Sequence, residues 1–384
     1  MAPVTPVDAT PVDVAVIGGG QAGLATSFWL RRTGIGHVVL DDADQPAGAW
    51  ARMWPSLRAF SPPEYSSLPG WLMPRWKGDG GFPPRQHVVD YLTEYERRYE
   101  LPVRRPVRVA AVRDAGERLR IEATTDSGPV QWLARAVVSA TGTWSRPFLP
   151  AVPGMTDFAG TQLHSAQYRA PADLPAGRVL VVGWGNTGAQ LAAELTASHE
   201  VVWATQRPPR YMPENVDGRV LFDVATARRA ALDAGREDDG GVQSLGDIVM
   251  VPGVREAVAT GRLAAVPMVE RLTASGIVWG ERAHEVHACS TWNTPPAAPG
   301  EEHGVQAVLW CTGYRAALGH LRPLGLRGAA GRVAIAEGSM TRAAGDARVH
   351  LMGYGDWTGP ASATLIGVGR PARAAVREIA ELVG

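Results

Sequence analysis

The chain has 384 residues, 45% of them hydrophobic and 20% charged, with 38 basic against 38 acidic side chains. That length suits two domains better than one, and the composition is that of a folded globular protein. Neutral overall charge gives no electrostatic footprint for nucleic acid, and no apolar run approaches the roughly 20 residues that a bilayer needs. The start Met1-Ala2-Pro3-Val4-Thr5-Pro6 lacks the basic and apolar regions of a signal peptide, so a cytoplasmic location is expected, with no nucleic-acid or membrane partner.

Residues 1–11 read as a loose leader. Val12 to Ile17 is apolar and β-branched and predicts a buried parallel strand. Gln21 to Arg32 carries Leu24, Phe28 and Leu30 at helical positions and is ended by Gly34, and His37 to Leu40 is a second strand. Together they make a βαβ unit. The stretch from Pro46 to Pro84 is rich in Pro, Gly and Trp and too irregular for regular elements. Connections of that length inside a compact chain are usually functional. Val88, Tyr91, Leu92, Tyr95 and Tyr99 then recur at helical spacing as a core-facing stripe.

Val103 to Val112, Leu119 to Thr124 and Val130 to Ala134 predict short strands of a small antiparallel layer. Ala136 to Ser139 begins another, buried strand that ends in Ala140-Thr141-Gly142. Pro147, Pro150 and Pro153 punctuate a linker. Arg178 to Val182 is again an apolar strand with a glycine turn behind it, so the βαβ start occurs twice. Arg210 to Leu263 is polar and mostly helical in pattern, with a flexible Asp-Asp-Gly-Gly at 238–241, and 264–310 returns to short strands. From Val349 onward a strand, a Gly-rich turn and a helix from about Ser362 are expected. The 13 Trp residues are either core or the walls of a pocket for a flat ring. Cys289 and Cys311 form no C-x-x-C pair and read as small buried hydrophobes. No metal site is expected.

The two turns carry the chemistry. Gly18-Gly19-Gly20-Gln21-Ala22-Gly23 has the G-x-G-x-x-G spacing between a strand and a helix, the context that makes this pattern specific. Gly18 permits the tight turn, Gly20 lets backbone approach a pyrophosphate, and Gly23 lets helix and strand pack closely. The helix N-terminus offers free N–H groups to phosphate. Gly183-Trp184-Gly185-Asn186-Thr187-Gly188 repeats the pattern, which implies a second nucleotide. An acid about 20 residues past the first glycine reads a ribose hydroxyl pair, whereas an Arg accommodates a 2′-phosphate. Behind Gly18 that offset holds Asp41 (41 − 18 = 23), which suits FAD. Behind Gly183 it holds Gln206 (206 − 183 = 23) and then Arg207, with Arg210 as a further candidate, which suits NADPH. The bland alternative for both arginines is a solvated loop charge.

At this point the residues resemble the class B flavin monooxygenases. Phe158-Ala159-Gly160 through His164 to Tyr168 is similar to the family's F-x-G-x-x-x-H-x-x-x-Y fingerprint. Leu309 to Tyr314 resembles its A-T-G-Y segment, with Cys311 in place of Ala, and Ala140-Thr141-Gly142 resembles the equivalent turn of the first domain. Gly48-Ala49-Trp50 and Gly355-Asp356 resemble segments placed near the flavin, the Asp at its ribityl chain. Leu57 to Pro74, Gln206 to Arg210 and Gly353 to Pro360 resemble, more narrowly, the small flavin monooxygenases of arsenic-resistance operons.

The resemblance implies an α/β fold of two Rossmann-like, doubly wound, three-layer dinucleotide-binding domains, the NADPH domain inserted into the FAD domain. The expected limits are 1–150 for the first part of the FAD domain, 151–305 for the NADPH domain and 306–384 for the returning part. Expected FAD contacts are Gly18, Gly20, Gln21, Ala22, Gly23, Asp41, Asp42, Gly48, Trp50, Val109, Thr141, Gly142 and Asp356. Expected NADPH contacts are Gly183, Gly185, Asn186, Thr187, Gly188, Arg207, Arg210, Thr312 and Gly313. Trp54, Ser61 and Tyr65 either face a substrate pocket or serve packing.

The implied reaction consumes NADPH and O2, forms a C4a-(hydro)peroxyflavin, and passes one oxygen to a small soft nucleophile such as sulfur, nitrogen or an arsenic compound. Ketone oxygenation is disfavoured, because the chain is short and the fingerprint ends Tyr168-Arg169 without a Trp-Pro or Trp-Asp ending. The cofactor carries such chemistry, so few catalytic side chains are needed. His164 is a weak catalytic candidate and is read first as a link between linker and domains. The rival readings are a disulfide reductase, for which the cysteine pair is missing, an uncoupled NADPH oxidase producing hydrogen peroxide, and a nucleotide-binding sensor without turnover.

Overall fold

The computed structural model describes residues 9–78, 81–213, 247–288, 292–326 and 332–384, with the isolated positions 220, 223, 224, 227 and 328. Residues 1–8, the Asp-Asp-Gly-Gly at 238–241 and Cys289 lie outside the described residues.

The first sheet is built around β1 (Ala9–Ile17). It pairs in parallel with β2 (His37–Leu40) on one side and with β6 (Gly128–Ser139) on the other. The helix α1 (Gln21–Thr33) joins β1 to β2, and Gly34 ends it in a left-handed conformation with its N–H on the Arg31 carbonyl. Alternation along β1 sends Val14 and Val16 to one face and Ala15 and Ile17 to the other. The first face is covered by α1, α3 (Arg85–Arg98) and α7 (Gly369–Val383), and Val88, Tyr91, Leu92 and Tyr95 are buried there as the stripe predicts. The second face is covered by the hairpin β4 (Arg108–Ala115) and β5 (Arg118–Thr125), with Leu318 and Leu321. β3 (Val103–Arg104) extends the sheet beyond β2, and β16 (Asp346–Leu351) with β15 (Arg342–Ala343) beyond β6.

The second sheet is five-stranded and parallel. Its strands are β7 (Thr161–His164), β8 (Arg178–Val182), β9 (Glu200–Thr205), β10 (Ala265–Pro267) and β14 (Ala307–Trp310), in the order β10-β9-β8-β14-β7. On one face Val179 and Val181 meet α4 (Asn186–Leu195) and α5 (Pro252–Ala259). On the other, Leu180 and Val182 meet Trp279 and Phe158. A small antiparallel sheet of β11 (Arg271–Leu272), β12 (Gly276–Val278) and β13 (Glu302–Gly304) lies alongside. In both main sheets the glycine turn follows the strand at which strand order reverses, the place where open α/β sheets bind ligands.

Several expectations are corrected. Ala9 to Pro11, read as leader, belong to β1 and pair with Gln131 to Leu133 of β6. The segments Val130–Ala134 and Ala136–Ser139 form one strand: β6 pairs with β5 up to Ala134 and with β16 from Val137, so its environment changes midway while its backbone does not. Among its described residues, the irregular connection 46–84 contains a helical turn, α2 (Ala49–Arg52), and a 3₁₀ turn at Pro63–Tyr65. The short-strand region contains a helix, α6 (Glu281–Ala288). The last helix starts at Gly369 rather than Ser362, because the Ser362 hydroxyl is spent on the Gly355 carbonyl at 2.7 Å within a buried turn. A limit at 305/306 would cut β14 from its own sheet, since it pairs with β8 on one side and β7 on the other.

Candidate active site

The two glycine turns are built alike. At Gly18 an added Cβ would sit 2.4 Å from the Ala140 carbonyl oxygen, and at Gly183 it would sit 2.3 Å from that of Cys311. At Gly23 and Gly188 it would collide with the carbonyl of the first glycine in its own turn, at 1.8 and 2.2 Å. At Gly20 and Gly185 it would meet nothing within 4 Å. The first and third glycines are therefore required by the protein's own packing. The middle ones leave an open cradle at a helix N-terminus, the shape and polarity that a bound pyrophosphate needs. Trp203 of β9 donates its indole N–H to the Gly183 carbonyl at 2.7 Å and fixes the second turn from below.

Asp41, 4% exposed, stands at the end of β2 against the first turn, 2.6 Å from where a Gly19 Cβ would lie. Arg105 holds it at 3.1 Å and is itself clamped by Glu96 at 2.6 Å. Gln21 pins the turn on two sides: its Oε1 accepts from the Trp50 indole N–H at 2.9 Å, and its amide donates to the Ala363 carbonyl at 2.7 Å. Behind the second turn, Arg207 stacks 3.7 Å over the Trp184 ring, and both Arg207 and Arg210 pair with Asp247.

A cavity of about 790 Å³ opens in front of the first turn, within the range of small-molecule and cofactor sites. Gly18, Gly20, Gln21, Ala22, Asp41, Asp42, Gly48, Trp50, Val109, Thr141 and Gly142 line it, as do Trp54, Ser61 and Tyr65. Asn186 and Thr187, the first residues of α4, line the same cavity. One chamber thus faces both turns. Gly23 lies behind it, and Gly183, Gly185, Gly188, Arg207, Arg210, Thr312 and Gly313 lie outside it on the second unit's side. Asp356 departs from expectation: it is exposed, outside the cavity wall, and its carboxylate accepts the Ala361 N–H at 3.2 Å, capping a local turn. The tryptophans divide as well. Trp203, Trp279 and Trp310 are core, whereas Trp50, Trp54 and Trp144 face the chamber.

His164 is not on the cavity wall. Its Nδ1 accepts the Ala166 N–H at 3.1 Å, which leaves the Nε2–H to donate to the Gly313 carbonyl at 3.1 Å. Burial pushes its pKa down, against the raising effect of the Gly313 carbonyl, so the neutral ring is favoured. Gly313 belongs to the place where the chain crosses between units. The two crossings run side by side: Phe148 N–H donates to Gly313 O at 2.9 Å, Arg315 N–H to Arg146 O at 2.8 Å, and Ala317 N–H to Gly142 O at 3.0 Å. Thr141 donates to the Ala317 carbonyl and Thr312 to that of Phe148, so each turn is tied to the opposite crossing. Trp144 and Tyr314 stack across the pair at 5.2 Å and form part of the chamber wall.

Sequence reasoning missed other wall residues. Gln190 lies one helical turn beyond Asn186, a spacing that marks the same face of α4. Tyr354 was marked only as part of the Gly353–Pro360 resemblance, and His320 had no local signal. Tyr354 bonds Ser139 and Thr141, each at 2.8 Å, and His320 reaches Ser139 at 3.1 Å. These contacts tie the β16 end and the 3₁₀ turn at Gly319–Leu324 to the end of β6.

The pyridine nucleotide-disulphide oxidoreductase family model matches residues 15–226. A flavin-containing monooxygenase from Stenotrophomonas maltophilia is 45% identical, with a TM-score of 0.83 over 98% of this chain and 100% of that one. An uncharacterized CzcO-like oxidoreductase of Geobacillus kaustophilus is 34% identical over 212 residues, 55% of this chain and 59% of that protein. The probable indole-3-pyruvate monooxygenase YUCCA9 of Arabidopsis thaliana is 27% identical over 216 residues, 55% of this chain and 51% of that protein. The chain thus spans about half to three fifths of the length of the curated relatives it matches.

Proposed function

The chain belongs to the pyridine nucleotide-disulphide oxidoreductase family, among its flavin monooxygenases, and from that premise we propose that it is an FAD-dependent, NADPH-consuming monooxygenase of small soft nucleophiles. The observation that carries the proposal is the single chamber lined by both the first glycine turn and the start of α4. A dinucleotide on each turn would bring its reactive ring into common space. FAD is assigned to Gly18–Gly23, with Asp41 at the adenosine ribose and Gln21, Trp50, Thr141 and Gly142 along its length. NADPH is assigned to Gly183–Gly188, with Arg207 and Arg210 at the 2′-phosphate.

When bound, these groups supply hydride transfer and the reaction with O2. The chain itself would position them, with Trp50, Trp54 and Trp144 lining the chamber they share. No acid–base pair is needed from the side chains, and His164, with both ring nitrogens engaged, is assigned a positioning role. Sulfur, nitrogen and trivalent arsenic compounds are the proposed acceptors, and the arsenic-resistance reading is the narrowest of these. A dithiol mechanism finds no support among the described residues: Cys311 is buried, and burial pushes its thiol pKa up, away from a reactive thiolate.

The test is rapid mixing. The flavin-loaded protein is reduced with NADPH, mixed with O2, and followed by flavin absorbance with and without a thioether, an amine or a trivalent arsenical. A transient spectrum distinct from oxidised and reduced flavin, with an oxygenated product and little peroxide, supports a monooxygenase. Direct reoxidation with stoichiometric peroxide and no product with any acceptor makes it an NADPH oxidase. Absence of flavin reduction leaves only a nucleotide sensor.

A further inference from the structure

The two cations beside the second turn are already engaged by an acid. Asp247 accepts from Arg207 Nη2 at 2.9 Å and from Arg210 through Nε at 2.9 Å and Nη2 at 3.0 Å. The acid is recessed and the cations face outward: Asp247 is 8% exposed, Arg207 45% and Arg210 46%. The backbone of the acid is anchored to the same loop, because the Asp247 and Ile248 N–H groups both donate to the Arg210 carbonyl, at 2.8 and 3.2 Å. Two residues on, the Val249 N–H donates to Asn186 Oδ1 at 2.8 Å, which ties this segment to the first residue of α4. Arg207 has a second, independent support in the Trp184 ring 3.7 Å beneath it.

We propose that Asp247 is a coenzyme-selecting residue: its carboxylate occupies the anion position between Arg207 and Arg210 and competes there with a ribose 2′-phosphate. The inference rests on the assignment of the second turn to the nicotinamide coenzyme. Asp247 offsets one positive charge beside the two guanidiniums, and removing the acid would restore it. With both cations nearly half exposed, each pair is worth roughly the 0.2–1 kcal/mol of a surface ion pair, so a phosphate dianion can displace the acid but gains less than it would without that competitor. An unphosphorylated coenzyme has no displacement to make. Asp247 therefore narrows the preference for the phosphorylated form without abolishing it. Because Trp184 holds Arg207 independently, removal of the carboxylate leaves a cation in place, and the charge effect outweighs any loss of order.

The experiment measures dissociation constants by calorimetry on the flavin-loaded full chain, with adenosine 2′,5′-bisphosphate and 5′-AMP as probes. Asp247→Asn should bind the bisphosphate about fivefold tighter than the unsubstituted protein and leave 5′-AMP unchanged, which also reports an intact site. Asp247→Glu, which keeps the charge, should retain the original ratio of the two affinities. If Asp247→Asn binds the bisphosphate equally or more weakly while Arg207→Ala still loses it, Asp247 is only a tether and the inference fails alone. It fails in the same way if both probes tighten in parallel. If Arg207→Ala leaves bisphosphate binding untouched, the coenzyme assignment fails and takes the inference with it.

Discussion

A methyl group added at Gly20 meets open space, and one added at Gly23 meets the Gly18 carbonyl oxygen at 1.8 Å. Two substitutions three residues apart should therefore fail for different reasons. Gly20→Ala should keep the stability of the flavin-free protein within about 1 kcal/mol yet lose flavin absorbance after purification. Gly23→Ala should lower unfolding stability by about 1–3 kcal/mol even without ligand. Thermal melts of the flavin-free forms separate the two. These requirements were legible in the sequence because each is satisfied within one turn of chain. Asp247 was not, since its partner Arg207 lies 40 positions away and nothing local marks the pairing. Asp356 is the converse case: its surroundings in sequence suit a flavin contact, while one of its carboxylate oxygens accepts the Ala361 N–H within its own turn.

At the scale of elements, the βαβ starts, the α3 stripe and the fingerprint segment are readable from periodicity and spacing. Misread elements share one cause, that a distant partner sets their limits. β6 reads as two strands because its neighbour changes from β5 to β16 around Arg135, and β14 reads as part of the other unit because its true neighbours, β7 and β8, are far away in sequence. The fingerprint histidine gives an element-level prediction. His164 joins the end of β7 to the Gly313 crossing by a hydrogen bond at 3.1 Å. His164→Ala should lower stability by about 1–3 kcal/mol and reduce turnover while leaving the pH profile of the rate unchanged in shape. A profile that loses one ionisation would instead make His164 an acid–base group.

Across the whole molecule, burial depresses the pKa of His37, of His164 and, to about 4, of His350. A histidine whose folded pKa lies below its unfolded value of 6.5 takes up more protons on unfolding. Its contribution is intact above pH 6.5 and is lost as the pH falls toward 4. Denaturant titrations should therefore show stability declining over that window by a few kcal/mol, and His350→Gln should flatten part of the slope. The interrupted first sheet bears on how the molecule is assembled. Every strand of the second sheet lies between Thr161 and Trp310, so that unit has all its pieces in one stretch. The first sheet needs β16 beside β6 and α7 over Val14 and Val16, both of which are translated after the second unit is finished. The inserted unit should therefore acquire hydrogen-exchange protection first, while the first glycine turn waits with its apolar flank bare until the final helix docks. Pulse-labelled refolding should show protection at β8 and β9 preceding protection at β1.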